Sequence, residues 1–443
     1  MAAEEPGGVV IDINEWLVND IKQNLNAVCG DQGIKAENFT IFRAPAYIRR
    51  INEDLFEPRL VSIGPYYCGN ENLLAMQEHK WRYRRDFLAR NSDNSIEDCV
   101  SIIRDLEARA RRCYFEPIKL ESDEFVEMLL LDGCFIIEYF LKLDECSEDT
   151  TFEVYWISPR VWIDLFMIEN QIPFFVLQSL YALLVRSSAT TSASGSGDQS
   201  TFVNIVRQSM IQYDHHISDE LIASDQEIYH LLHLYHLSVV PAPNQDPYCL
   251  RPVRVTRSEG YIPCATELRE AGVIFKKKSE GSFLDITFRD GLLEIPFLSI
   301  DEFTRPRFMN LVAFEQSSNQ VKRNMTCFAI FMDRIINTSR DVAILQQCGI
   351  LENQLATDEE VAIFFNHLSY WAYIFGYEHY LARLFRDVNQ YCDSYWHRWK
   401  AGLKRDYFSN PWTLISLVAA IILLVLAFLQ TVFTIYPFYR PRS

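Results

Sequence analysis

Residues 414–435 form a run of 22 residues without a single charge, Leu-Ile-Ser-Leu-Val-Ala-Ala-Ile-Ile-Leu-Leu-Val-Leu-Ala-Phe-Leu-Gln-Thr-Val-Phe-Thr-Ile. As a helix it would rise about 33 Å at ~1.5 Å per residue, enough for the ~30 Å hydrocarbon core of a bilayer. Trp412 and Tyr436 bracket it, where amphipathic rings favour headgroups. The run predicts a transmembrane helix over 412–436, a short tail over 437–443, and membrane lipid as the partner of Leu414–Ile435. Arg398, Lys400, Lys404 and Arg405 precede the run, against Arg440 and Arg442 after it. That bias places the preceding body in the cytosol, on a single-pass C-terminal anchor. The amino end, Met-Ala-Ala-Glu-Glu-Pro-Gly-Gly, lacks the basic and apolar regions of a secretory signal.

The body before this run has room for one large domain or two medium ones. With 49% hydrophobic and 14% aromatic residues it can bury a substantial core. Its net charge of −17 disfavours nucleic acid, whose phosphates need a basic surface. The 11 cysteines show no Cys-x-x-Cys spacing, so neither a zinc knuckle nor a redox pair is signalled. They read as reduced thiols, several of them buried. Sequons at Asn38, Asn324 and Asn337 matter only for a luminal body.

Apolar spacing predicts an amphipathic helix over Asp12–Val28, and helices over Leu73–Arg90 and Ile96–Cys113 with arginines on their outer faces. Phe125–Leu143 is too apolar for a surface helix, yet Asp132 and Glu138 interrupt it, so it reads as a buried core helix. Arg160–Arg186 is helical with a break near Pro173. Ser187–Ser200 is a Ser-rich loop. Helices resume over Phe202–Leu237 and again over Glu359–Lys400. Pro241, Pro243, Pro247 and Pro252 mark an irregular stretch between them. Residues 273–295 change to period two, with a turn signal at Asp290-Gly291, and predict a three-stranded β-meander. The fold class is therefore mainly α: a helical extension over 1–40, then one large helical domain over 41–408 with a small β-meander insert, then the transmembrane helix.

Few residues point to chemistry. Phosphate-binding loops, nucleophile elbows, His-Glu-x-x-His and EF-hand loops are absent from the sequence. His230, His233 and His236 cannot converge on a metal from one helix, since at ~100° per residue the third has turned away. With His215-His216 they read as structural or surface histidines, so neither a metal nor another cofactor is expected. Glu169-Asn170-Gln171 is more pointed. It sits between the apolar runs Leu165–Ile168 and Ile172–Leu177, so its polar groups need buried partners. Asn170 or Gln171 could satisfy free N–H groups where a helix restarts at Pro173.

Several phrases occur together: Ile41-Phe42-Arg43-Ala44-Pro45, Pro58-Arg59-Leu60-Val61-Ser62-Ile63-Gly64-Pro65-Tyr66, Leu130-Leu131-Asp132-Gly133-Cys134-Phe135, Asp164–Phe174, and Asn310-Leu311-Val312-Ala313-Phe314-Glu315-Gln316. This set resembles the plant family known as domain of unknown function 247, from about Ile41 to the tail. The resemblance implies a terminal membrane segment and no established catalytic activity. Some members are linked to pollen–stigma self-incompatibility, which implies recognition as one role.

The expected function is recognition of a protein partner by a membrane-anchored, non-enzymatic chain. Self-association is open, with Ser416 and Ala420 as a small-residue contact. Two alternatives stand beside it. An enzyme would use Asp132, Glu169 and Glu315, acids inside apolar runs whose pKa burial would raise, and would bring two of them together in a pocket. A peripheral lipid binder would use the arginine faces and Lys276–Lys278.

Overall fold

The computed structural model describes residues 17–23, 39–45, 49, 55–90, 95–145, 157–186, 197–213, 217, 226–240, 261–279, 282–318, 320–370, 372, 380–393 and 411–439. Several expectations lie outside these residues: the ends of the Asp12–Val28 helix, residues 187–196 of the Ser-rich loop, His215-His216, the proline-rich stretch, and the basic residues flanking the apolar run. Residues 17–23 are helical.

Fourteen described helices dominate. The first seven are α1 (Ala75–Ala89), α2 (Ile96–Arg111), α3 (Ser122–Asp144), α4 (Ile157–Leu165), α5 (Phe174–Arg186), α6 (Gly197–Tyr213) and α7 (Leu231–Val239). After α8 (Ala265–Glu270) come β1 (Ile274–Lys278), β2 (Thr287–Arg289), β3 (Leu292–Pro296) and β4 (Leu298–Ile300). Then follow α9 (Thr304–Ser317), α10 (Asn324–Ile335), α11 (Ser339–Gln347), β5 (Leu351–Asn353), α12 (Asp358–Ser369), α13 (Ala382–Asp393) and α14 (Pro411–Tyr439).

Helix α3 is the axis of the first half. Residues 128–140 are buried without interruption, including Asp132 and Glu138. A helix apolar on every face must be covered on every face, and α1, α2, α5 and α6 all pack on α3. Helix α2 starts with a capping box in which Ser95 and Asp98 exchange hydrogen bonds, a local signal readable in Ser-x-x-Asp. In the second half α9, α10, α11 and α12 pack together, and α7 joins the halves by packing on α9. One apolar core cluster runs from Ile41 to Cys392. The described cysteines are all free thiols.

The β region departs from the expected meander. The sheet order is β1-β3-β2, with β1 parallel and β2 antiparallel to β3. The reason lies in Phe283. Its ring stacks on Phe308 at 5.5 Å and meets Phe328 edge-on at 5.1 Å. That contact pulls residues 283–286 into the helical core and leaves only 287–289 to pair. The Asp290-Gly291 turn forms as expected, both residues having positive φ (49° and 83°), as a tight hairpin requires. A second parallel pair, β4 with β5, was not signalled in the sequence. Residues 197–200, expected in the Ser-rich loop, are the first turn of α6.

The main correction concerns the end of the chain. Among the described residues no helix is long and apolar enough to cross a membrane. The expected transmembrane helix over 412–436 is therefore not supported, nor is a C-terminal anchor built on it.

Candidate functional site

Residues 56–67 form no helix or strand, and their stretch 61–64 is buried. Buried backbone N–H groups need acceptors, and here they cannot come from a helix or sheet ladder. Side chains supply them instead. Asp164, at the end of α4, accepts from the N–H groups of Arg59, Leu60 and Val61 at 2.7–3.1 Å. Asn170 Oδ1 accepts from Ile63 at 2.7 Å, while its Nδ2 donates to the carbonyls of Val61 and Asp164. Asp132, on α3, accepts from Gly64 N–H at 2.7 Å. Its other oxygen takes the Lys80 ammonium at 2.5 Å, and Lys80 also donates to the Ser62 carbonyl. At the head of the segment, Asn310 Nδ2 donates to the Leu55 carbonyl at 2.8 Å and its Oδ1 accepts from Ile168 N–H.

Glu169 holds the neighbouring chain. It accepts from Ala44 N–H at 2.9 Å and from the Tyr67 hydroxyl at 2.7 Å, with Arg49 3.5 Å away. Gln171 ties the same turn together: its Nε2 donates to the carbonyls of Leu165, Met167 and Asn170. Its Oε1 accepts from Leu232 N–H. Gln171 thus does satisfy a helix N-terminus, but that of α7 rather than the α5 that restarts after the buried Pro173. Asn170 reaches residues 61–63 instead of any helix start. Gly64 sits where this turn meets the segment, with φ of +75° and a Cβ position only 2.4 Å from the Gln171 carbonyl oxygen.

Glu315 lies apart from this group. From α9 it accepts the N–H groups of Met325 and Thr326 and the Thr326 hydroxyl, at the first turn of α10. Its Oε1 also takes His236 Nε2 at 2.8 Å. The histidines of α7 are all buried. His230 Nε2 lies 2.9 Å from the Thr40 carbonyl, which assigns the proton to Nε2. Its Nδ1 accepts from His233 N–H and caps the helix. Tyr229 N–H donates to His233 Nδ1. Both nitrogens of His230 are thus engaged by the fold itself, as are His233 Nδ1 and His236 Nε2. Among the described residues no group of three His, Cys, Asp or Glu side chains is placed to hold a metal ion.

Burial shapes the titration of these groups. It raises Asp164 to about 6 against three backbone donors. It raises Asp132 against the pull of Lys80, and Glu169 against Tyr67 and Arg49. Burial lowers His230 to about 3 and His233 to about 2.

The six residues singled out in the sequence are therefore placed as follows. Asp132, Glu169, Asn170, Gln171 and Pro173 come together around residues 44–67, and Glu315 does not join them. The oxygens of the three acids already face N–H, hydroxyl or ammonium donors of the chain. A groove of about 430 Å³ lies elsewhere, on the outer face of α2, lined by Ile96, Glu97, Val100 and Arg104 among others, and none of the six lines it. Reading the sequence missed Asp164, Lys80 and Asn310 as members of the network. The available signal was a lone acid or amide inside each of the apolar phrases around 164 and 310. For Lys80 no signal existed, because its burial depends on the path of residues 60–64.

The outer rim of the network is aromatic. Thr40 and Ile41 N–H donate to the Cys113 carbonyl, and Phe115 N–H donates to the Ile41 carbonyl, pairing residues 40–41 with 113–115. This pairing sets Phe115 edge-on to Phe39 at 5.4 Å and tilted against Phe42 at 5.9 Å between ring centroids. Phe115 remains 60% exposed. Arg43 lies over the Tyr66 ring at 4.7 Å and pairs with Glu116.

With fold and network in view, the comparisons define a class. The chain belongs to the DUF247 family, described as plant protein of unknown function, whose pattern matches residues 41–426. It is 30% identical over 433 residues to the UPF0481 protein At3g47200 of Arabidopsis thaliana, covering 92% of this chain and 88% of that one. It is 24% identical over 509 residues to the putative UPF0481 protein At3g02645 of the same plant, covering 95% and 94%. No solved structure matches.

Two predictions follow from the network. Gly64→Ala must adopt a left-handed backbone and also displace the Gln171 carbonyl, so it should cost at least ~2 kcal/mol in urea unfolding. Gly69→Ala has a similar φ of +79° but nothing within 4 Å of its Cβ. It should cost only about 1 kcal/mol, and equal costs would contradict the close approach. The second prediction concerns pH. His230 stays neutral in the fold but takes up a proton below ~6.5 when unfolded, so its contribution is present above that pH and lost as pH falls. By pH 5 the loss is roughly 2 kcal/mol. His230→Asn keeps a capping oxygen without the titration. Between pH 7.5 and 5 the variant should lose about 2 kcal/mol less stability than the parent chain, and parallel pH profiles would contradict this.

Proposed function

We propose that this chain is a non-catalytic recognition protein that binds another protein through the aromatic ridge of Phe39, Phe42 and Phe115. The observation that carries the reading is the exposure of Phe115 on a backbone held by pairing on one side and two rings on the other. Exposed aromatic side chains on ordered backbone are typical binding anchors, since little conformational freedom is lost when they are covered. The acids of the interior support the same reading. Asp132, Glu169 and Glu315 are engaged in holding chain segments. Recognition between cells, as in self-incompatibility, is one setting for such a surface.

The test is proximity labelling with the full chain, followed by binding measurements with each recovered protein in purified form. At least one partner should bind Phe115→Ala about tenfold or more weakly than the parent chain, the loss expected for an aromatic anchor. The variant's melting temperature should be unchanged, because the ring is mostly outside the core. If every partner binds Phe115→Ala and Phe39→Ala as tightly as the parent, the ridge is not the binding surface.

A further inference from the structure

We infer that the ridge is built to take an acidic segment of its partner, read by Arg109 and Arg112. The inference rests on the recognition reading above and adds the chemistry of the occupant. Both arginines are exposed at the C-terminal end of α2 and beyond it. They stand beside the ridge: Arg112 directly precedes Cys113, the Arg109 carbonyl accepts from the Cys113 thiol at 3.5 Å, and the Cys113 carbonyl is the acceptor for Thr40 and Ile41.

The charges of α2 are arranged unequally. Arg111 bonds Glu107 at 2.9 Å, and Arg104 reaches Glu107 and Asp123. Arg109 and Arg112 have no carboxylate within ion-pair distance among the described residues. The chain carries 59 acidic against 42 basic residues, so internal partners are abundant. Two guanidinium groups without a carboxylate partner among the described residues, on the chain segment that leads to the exposed Phe115, are open to a carboxylate from elsewhere.

Arg109 is also pre-set for that task. Its guanidinium lies over the Phe175 ring, 3.9 Å from the centroid. Stacking on an aromatic face fixes the plane of the fork and leaves its edge N–H groups free, the geometry that receives a carboxylate in two parallel bonds. The acids nearby do not fill this place. Glu116 pairs with Arg43 at 3.4 Å, and Glu227 is exposed, acting on the same thiol without a bond to either arginine among the described residues. The occupant that fits is an extended segment with carboxylates for Arg109 and Arg112 and an apolar side chain for Phe39, Phe42 and Phe115.

The probe is a fluorescein-labelled peptide of glutamates around a central phenylalanine, with a glutamine counterpart of the same length, titrated with the full chain at low salt. The glutamate peptide should bind, the glutamine peptide should bind about tenfold or more weakly, and raising salt to about 0.3 M should weaken the glutamate peptide alone. Arg112→Gln and Arg109→Gln should each reduce binding of the glutamate peptide while leaving the melting temperature in place. Equal binding of both peptides, or no loss in either variant, overturns the inference. Tight binding of a phosphoserine peptide with no binding of the glutamate peptide overturns it as well. The two readings fail separately. A partner that Phe115→Ala releases but that salt and the arginine variants do not affect leaves recognition standing and removes only the acidic segment.

Discussion

The interior of this protein depends on satisfying backbone N–H groups that belong to no helix or strand. Residues 61–64 are buried, and an unpaired buried N–H costs about 1–3 kcal/mol. The segment would be untenable inside the core without Asp164, Asn170 and Asp132. Those three come from α4, the turn after it, and α3, so one stretch of irregular chain fixes the relation of the first-half helices to each other. Asn310 extends the same arrangement to α9 in the second half. Asp132 brings a further requirement, because a buried carboxylate needs a counter-charge, and Lys80 of α1 provides it.

The acids singled out in the sequence hold chain segments in the same way. A general base needs an oxygen free to approach a substrate, and a pocket in which to do so. The oxygens of Glu169 face Ala44, Tyr67 and Arg49, and those of Glu315 face the start of α10 and His236. The network's reach to the surface is indirect. Glu169 sets Ala44, and His230 sets Thr40, so residues 39–44 and the rings they carry are positioned from within.

Much of the helical body was legible in the sequence, for identifiable reasons. Phe125–Leu143 could only be a covered helix, since its apolar residues occupy every face. The break at Pro173 and the Asp290-Gly291 turn are local chemistry, and they appear where the residues place them. The resemblance to a plant family was carried by phrases that turn out to be the network itself: Pro58–Tyr66, Asp132-Gly133 and Asp164–Phe174 meet in space. What could not be read were pairings between distant residues. The parallel match of β4 with β5 joins residues some fifty apart, and the position of β1 beside β3 follows from where Phe283 is buried. The partners of Asp164 lie about a hundred residues before it. The apolar run at the end of the chain lies in α14, and among the described residues no helix is long and apolar enough to cross a membrane.

The central claim is that carboxylate and amide side chains hold residues 59–64 as firmly as a regular element would. Amide hydrogen exchange tests it directly. The N–H groups of Arg59, Leu60, Val61, Ile63 and Gly64 should exchange as slowly as those in the middle of α3, opening only when the whole fold opens. Exchange at the rate of an exposed loop, with α3 still protected, would contradict the account.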